Sequence, residues 1–236
     1  MGSPDAADAT PPAEEPAPGH SSGGEPGLEE RCRLLEQQLR ETEGVLRELQ
    51  HRAKNSLQLV ISLLRLQHHR IVDPEARAAY DQTMHRVEVL AVLYRQMHEA
   101  RSAGTVELAR YFREVVETAM ANAADGRTDV TVEVEVEPLS TSLYTAMPLG
   151  LVVNELVTNG LRHAFPDNAW MRVRLQSVSP EQVRLTVEDN GRGLPPGFDP
   201  EQDASTILVE ALATQLGADL DVSDSGGSRV QLTLKL

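Results

Sequence analysis

The chain has 236 residues, 40% hydrophobic, 25% charged and only 3% aromatic, with a formal net charge of -14. That is one or two domains' worth of core, and it excludes a nucleic-acid binder held by phosphate neutralisation. No apolar run approaches the ~20 residues that span a bilayer, and the N-terminus lacks a basic flank and apolar stretch, so the expectation is a cytoplasmic protein with no membrane partner. The single cysteine, Cys32, excludes an internal disulfide framework and any cysteine-built zinc site.

Residues 1–27 are the first segment. They are Pro, Ala, Gly, Ser and Glu with no large apolar side chain beyond Met1, and residues 1–30 hold Asp5, Asp8, Glu14, Glu15, Glu25, Glu29 and Glu30 without a Lys or Arg. Such a stretch cannot bury enough surface to offset its ordering entropy, and it reads as a disordered acidic tail.

From Leu28 the pattern changes. Leu28, Cys32, Leu35, Leu39, Thr42, Leu46 and Leu49 recur at spacings of four and three, and the series continues through Ala53, Ser56, Val60, Leu63 and Gln67. That is a heptad seam more than five heptads long. Asp73-Pro74 stops and restarts the helix, Asp as N-cap and Pro at the first helical position. A second helix follows, with Ala76, Tyr80, Met84, Val87, Leu90, Leu93, Tyr94 and Met97 as its expected buried face. Residues 28–103 thus read as a coiled coil running into a helical hairpin. A second copy covering the apolar seam gives a dimeric four-helix bundle; an intramolecular bundle packed on the C-terminal half is the alternative.

The register places His51 at f, Lys54 at b, Asn55 at c and Gln58 at f, one face turned away from the seam. No acid occurs between Leu49 and Val72, whereas Arg52, Lys54, Arg65 and Arg70 do. An imidazole in a cationic stripe is a poor core histidine, and no metal-ligating side chain stands at i+3 or i+4. A nucleophilic imidazole and an ordinary surface histidine, like His68, His69, His85 and His98 in the same region, both remain open. His51-Arg-Ala-Lys-Asn-Ser-Leu-Gln58 closely resembles the phospho-acceptor box of bacterial sensor histidine kinases of the H-R-x-x-N subclass. The resemblance implies that His51 is phosphorylated on a ring nitrogen, with Arg52, Lys54 and Asn55 orienting the imidazole or meeting phosphoryl oxygens.

The remainder, residues 104–236, reads as α/β. A helix is expected over Val106–Ala123 and a strand over Val130–Val136, and Pro148 is expected to open a helix running to Pro166. Asn154, Glu155, Asn159, Arg162 and His163 stand in that otherwise apolar helix, with Glu155 and Asn159 four apart on one side. Strands at Arg172–Gln176 and Val183–Glu188 lead into Asp189-Asn-Gly-Arg-Gly193, where glycine admits close backbone approach and the aspartate can accept from an exocyclic amine. The two stretches together resemble the N-box and first glycine box of the ATP-binding domain shared by histidine kinases, gyrase, Hsp90 and MutL. That resemblance implies an α/β sandwich binding ATP and Mg²⁺. Asn159 would be the metal ligand, Glu155 would activate or orient the attacking group, and Asp189 would read adenine. Asn154, Arg162, His163, Gly191 and Gly193 would line the nucleotide.

The family's second glycine box is not matched. No glycine occurs between Gly197 and Gly217, and Ser205, Thr206 and Ile207 stand where bare backbone would grip the phosphates. The expected function is two-component signalling, with His51 passing a phosphoryl group to an aspartate of a response regulator receiver domain. Three classes stay open: an ATP-dependent histidine kinase, a nucleotide-independent histidine phosphotransferase with a decayed ATP site, and a non-enzymatic scaffold.

Overall fold

The computed structural model describes residues 27–68, 70–99, 105–123, 130–162, 169–193, 203–224 and 226–236. The expected acidic tail lies outside them, Gly27 excepted. Contacts divide the chain into two units, residues 1–42 and 43–236. No helix among the described residues is long and apolar enough to cross a membrane.

Helix α1 (Leu28–His68) is a single helix of 41 residues, with Leu35, Leu39, Leu46, Leu49, Val60 and Leu63 of the heptad seam all exposed. Helix α2 (Pro74–Glu99) starts where Asp73 caps it, accepting from the Ala76 N–H at 2.7 Å. The hairpin is antiparallel: Tyr80 Oη donates to the Leu64 carbonyl, and Arg65 pairs with Glu88. On α1 the side facing α2 carries the partly buried Leu57, Ile61, Leu64 and His68, a stripe adjacent to the heptad seam.

The face expected to be buried on α2 needs correction. Ala76 is exposed and Tyr80, Met84, Val87, Leu90 and Tyr94 are half-buried, whereas Glu88, Val89, Val92, Leu93, Gln96 and Met97 are buried. The helix is apolar on two sides. One faces α1, and the other joins the core of the C-terminal half, where Val89, Val92, Leu93 and Met97 pack with Leu108, Tyr111 and Phe112.

That C-terminal half is a five-stranded mixed sheet with three helices on one face. Strand β1 (Thr105–Glu107) precedes α3 (Leu108–Asn122), so the helix expected from Val106 begins two residues later. The displaced residues pair antiparallel with β3 (Ser140–Ser142). Strands β2 (Val130–Val136), β4 (Ala169–Ser179), β5 (Gln182–Asp189), β6 (Asp219–Asp224) and β7 (Ser228–Lys235) form the main sheet in the order β2-β4-β5-β7-β6, with β2 parallel to β4 and the other pairs antiparallel. Helix α4 (Leu143–Arg162) starts five residues before Pro148, which lies inside it. Leu143, Ala146 and Met147 pack on the core, and that burial outweighs the hydrogen bond a proline removes near a helix start. Helix α5 (Ala204–Leu216) completes the layer.

Alternation fixes the sheet's two faces. Met171, Val173, Leu175, Leu185, Val187, Val230, Leu232 and Leu234 point into the core. The other face carries a charge ladder across four strands: Arg172 meets Glu133 and Glu188, and Arg229 meets Glu188.

Tyr111 packs on α4 where only glycine leaves room. A Cβ at Gly150 would overlap the Tyr111 ring and hydroxyl, and that hydroxyl is buried without a hydrogen-bond partner among the described residues. Gly150→Ala is therefore expected to lower stability by about 1–3 kcal/mol through overpacking. Tyr111→Phe, which removes an unsatisfied polar group, should be neutral or stabilising. Urea denaturation of the two variants checks the pair.

Candidate active site

On α1, the His51 side chain is exposed, and the Asn55 Nδ2 lies 3.2 Å from its Nδ1, one turn along. Arg52 is engaged one turn back along the helix. Its Nε donates to Glu48 at 2.8 Å, and that contact holds the Glu48 carboxyl below the usual carboxylate range. Lys54 is half-buried. The cationic stripe read from the sequence is thus partly neutralised, because Glu48 lies just before it and Glu88 reaches Arg65 from α2.

The second cluster gathers at the end of α4. Asn154 and Glu155 are buried, Asn159 is half-buried and Arg162 is exposed; His163 lies outside the described residues. Glu155 is 1% exposed and receives four donors. Arg86 on α2 forks onto it, Nε to Oε1 at 2.9 Å and Nη2 to Oε2 at 2.8 Å. Gln82 Nε2 reaches Oε2 at 3.2 Å, and Ser205 Oγ donates to it at 2.9 Å. Gln82 also donates to Ser205 Oγ at 2.6 Å, while Ser205 Oγ lies 3.4 Å from Asn159 Oδ1. The bonds to Glu155 raise the Arg86 pKa above its ordinary value despite burial. Next to it on α2, burial lowers the His85 pKa, and the buried His85 Nδ1 has no partner among the described residues.

Asp189 ends β5. Its Oδ1 accepts from the Gly191 N–H at 2.7 Å and the Ser228 N–H at 3.3 Å, which leaves Oδ2 without a partner among the described residues. Gly227, at φ +149°, lies against the Asp189 carbonyl so closely that a Cβ there would overlap it. The chain then turns through Gly191 to Gly193, at φ +69°. Asp203 caps α5, accepting at Oδ2 from both the N–H and the hydroxyl of Thr206 at 2.8 Å.

This donor set fits one end of ATP better than the other. A carboxylate with one oxygen preset by backbone amides matches an exocyclic amine donor. Asn159 and Glu155 offer the oxygens Mg²⁺ takes, but both Glu155 oxygens are already engaged. At α5, a carboxylate holds the first-turn amide that an anion would otherwise use.

Residues 48–123 match the family model described as "Histidine kinase", and residues 144–236 match "Histidine kinase-, DNA gyrase B-, and HSP90-like ATPase". The solved histidine kinase domain of the blue-light activated histidine kinase EL346 from Erythrobacter litoralis is 33% identical, with a TM-score of 0.61, covering 85% of this chain and 94% of that one. The chain belongs to the histidine kinase family. Among curated relatives, Blue-light-activated histidine kinase 2 of Erythrobacter litoralis is 36% identical over 200 residues, 81% of this chain and 57% of the relative. Sensor histidine kinase PdtaS of Mycolicibacterium smegmatis is 30% identical over 205 residues, 82% of this chain and 40% of the relative. The chain therefore spans about half the length of the curated relatives it matches.

Sequence reasoning missed Gln82, Arg86 and Ser228. The signal was present on α2: Gln82 and Arg86 continue the stripe of Val89 and Leu93 at spacings of four, three and four, polar residues where the buried face begins. Ser228 acts through its backbone N–H, which no side-chain motif encodes. If Asp189 is preset by this hairpin, Asp189→Asn should weaken Mg-ATP binding at least tenfold, since a charged acceptor contributes about 1.5–3 kcal/mol. Gly227→Ala should weaken it in the same direction by displacing the Asp189 backbone. Isothermal titration with both variants measures this.

Proposed function

We propose that the protein is an ATP-dependent histidine kinase of two-component signalling, which phosphorylates His51 and passes the group to an aspartate of a response regulator receiver domain. The observation that carries this reading is the preset Asp189 carboxylate on the same chain as an exposed His51 whose Nδ1 is engaged. A pure relay would need only the second. Family membership supports the receiver domain as partner.

Asn55 has a definite part in the chemistry. An amide presents either its oxygen or its NH₂ by rotation. With the oxygen toward Nδ1–H it selects the tautomer whose lone pair lies on Nε2. That nitrogen attacks the γ-phosphorus, the bond from phosphorus to the β,γ-bridging oxygen breaks, and ADP leaves. The Nδ1 proton is then held against Asn55 until it passes to solvent. Mg²⁺, when bound, would neutralise charge on the phosphate oxygens, and Asn159 would hold it. In the second half-reaction Nδ1 takes a proton back from solvent, the receiver carboxylate attacks phosphorus, the Nε2–P bond breaks and neutral imidazole departs.

The exposed heptad seam of α1 supports a homodimer. Leu35, Leu39, Leu46, Leu49, Val60 and Leu63 form an apolar stripe that a second copy covers. The nucleotide-independent reading rests on Asp203, whose carboxylate occupies the α5 N-terminus where phosphate would sit.

His51→Ala is expected to abolish incorporation of labelled phosphate from ATP, while the melting temperature stays at the parental value because the side chain is exposed. Asn55→Ala should slow incorporation by roughly 10²-fold, the scale of a lost proton-handling group, with KM for ATP unchanged. The label should be acid-labile and base-stable, as for a phosphoimidazole. Label retained in His51→Ala would place the acceptor elsewhere.

A further inference from the structure

The ion pair between Arg86 and Glu155 joins residues 69 positions apart, on the helical hairpin and in the nucleotide-binding half. Gln82, one turn before Arg86, reaches both Glu155 and Ser205, and Ser205 stands one residue into α5. Three helices, α2, α4 and α5, thus meet on one carboxylate.

Where this junction sits along the hairpin matters. Tyr80 reaches Leu64 and Arg65 reaches Glu88, so Arg86 lies beside the 61–65 turn of α1. His51 stands at least ten residues further along, roughly 15–20 Å at 1.5 Å per residue. Transfer needs reacting atoms about 3–3.5 Å apart. A second copy does not close the gap, because in a bundle with its twofold axis along the helices both His51 side chains stand at the same height.

We propose that Gln82 and Arg86 are positioning residues that clasp Glu155 and Ser205, park the nucleotide-binding half against the lower part of α2, and must release before His51 is phosphorylated. The inference rests on the kinase reading of the site for its consequence, but not for the clasp itself. The residues it engages belong to the phosphate end of the site. With Arg86 forked onto Glu155, each oxygen already accepts from the guanidinium, whose positive charge opposes a metal cation there. Release therefore does two things together: it frees Glu155 and lets the nucleotide-binding half travel toward His51. Both partners have reason to stay closed, since a carboxylate 1% exposed cannot stand alone.

The test is amide hydrogen exchange on the full chain without nucleotide, paired with phosphate incorporation from Mg-ATP. Arg86→Gln removes the fork. Gln82→Ala removes two hydrogen bonds without stranding a charge, and serves if Arg86→Gln melts the fold. Arg86→Lys keeps the charge and loses the fork. Exchange of peptides covering α2 and α4 should quicken several-fold in Arg86→Gln and Gln82→Ala, with Arg86→Lys between them and the parent. Incorporation at His51 should rise in the same order. Parental exchange in a folded Arg86→Gln overturns the clasp. Faster exchange with slower incorporation at unchanged nucleotide affinity also overturns it, because Arg86 would then serve transfer itself. If no variant incorporates phosphate while exchange quickens as stated, the kinase reading fails and the clasp stands.

Discussion

A single buried carboxylate organises this molecule. Glu155 lies on the inner side of α4 at 1% exposure and carries a charge that the apolar core around Val152, Val153 and Val157 cannot solvate. Its partners come from elsewhere in the chain: a guanidinium and an amide from α2, and a hydroxyl from the start of α5. The geometry of that one group therefore fixes how the hairpin meets the nucleotide-binding half, and how α5 is seated over the end of α4.

The apolar framework allows this arrangement without dictating it. Helix α2 is apolar on two sides, one toward α1 and one toward α3 and α4. Hydrophobic contact is non-directional, so sliding α2 along the core would change its burial little. The bidentate pair supplies register, because planar fork and carboxylate match in few orientations. At the other end of the sheet, backbone amides do comparable work for Asp189. The β6–β7 hairpin brings the Ser228 N–H to it, and Gly227 permits the approach.

Much of this was legible in the sequence, and the rest was not for identifiable reasons. The four–three spacing from Leu28, the Asp73-Pro74 restart and the alternation of Val130–Val136 each report a local period, and local periods survive into the structure. The asparagine helix and Asp189 were legible by motif. Pro148 misled because a proline inside a helix is rare, yet Leu143, Ala146 and Met147 gain enough burial to extend α4 past it. Strands of three residues, such as β1 and β3, carry too little pattern to separate from a helix start. The partners of Glu155 were invisible because they lie 69 to 73 residues before it and 50 after. The missing lid glycines predict an altered phosphate end, and at the start of α5 Asp203 caps the helix.

The proposed kinase activity requires that the phosphoryl group on His51 come from ATP bound at Asp189 on this chain. The direct measurement is rapid-quench labelling of His51 with two donors side by side, Mg-ATP alone and a phosphorylated receiver domain alone. Acid-labile label is expected on His51 from Mg-ATP with no receiver present, with loss of that label, but not of the receiver-derived label, in Asp189→Asn. Labelling from the receiver only, with Mg-ATP giving none, would contradict it and leave the chain a phosphotransferase.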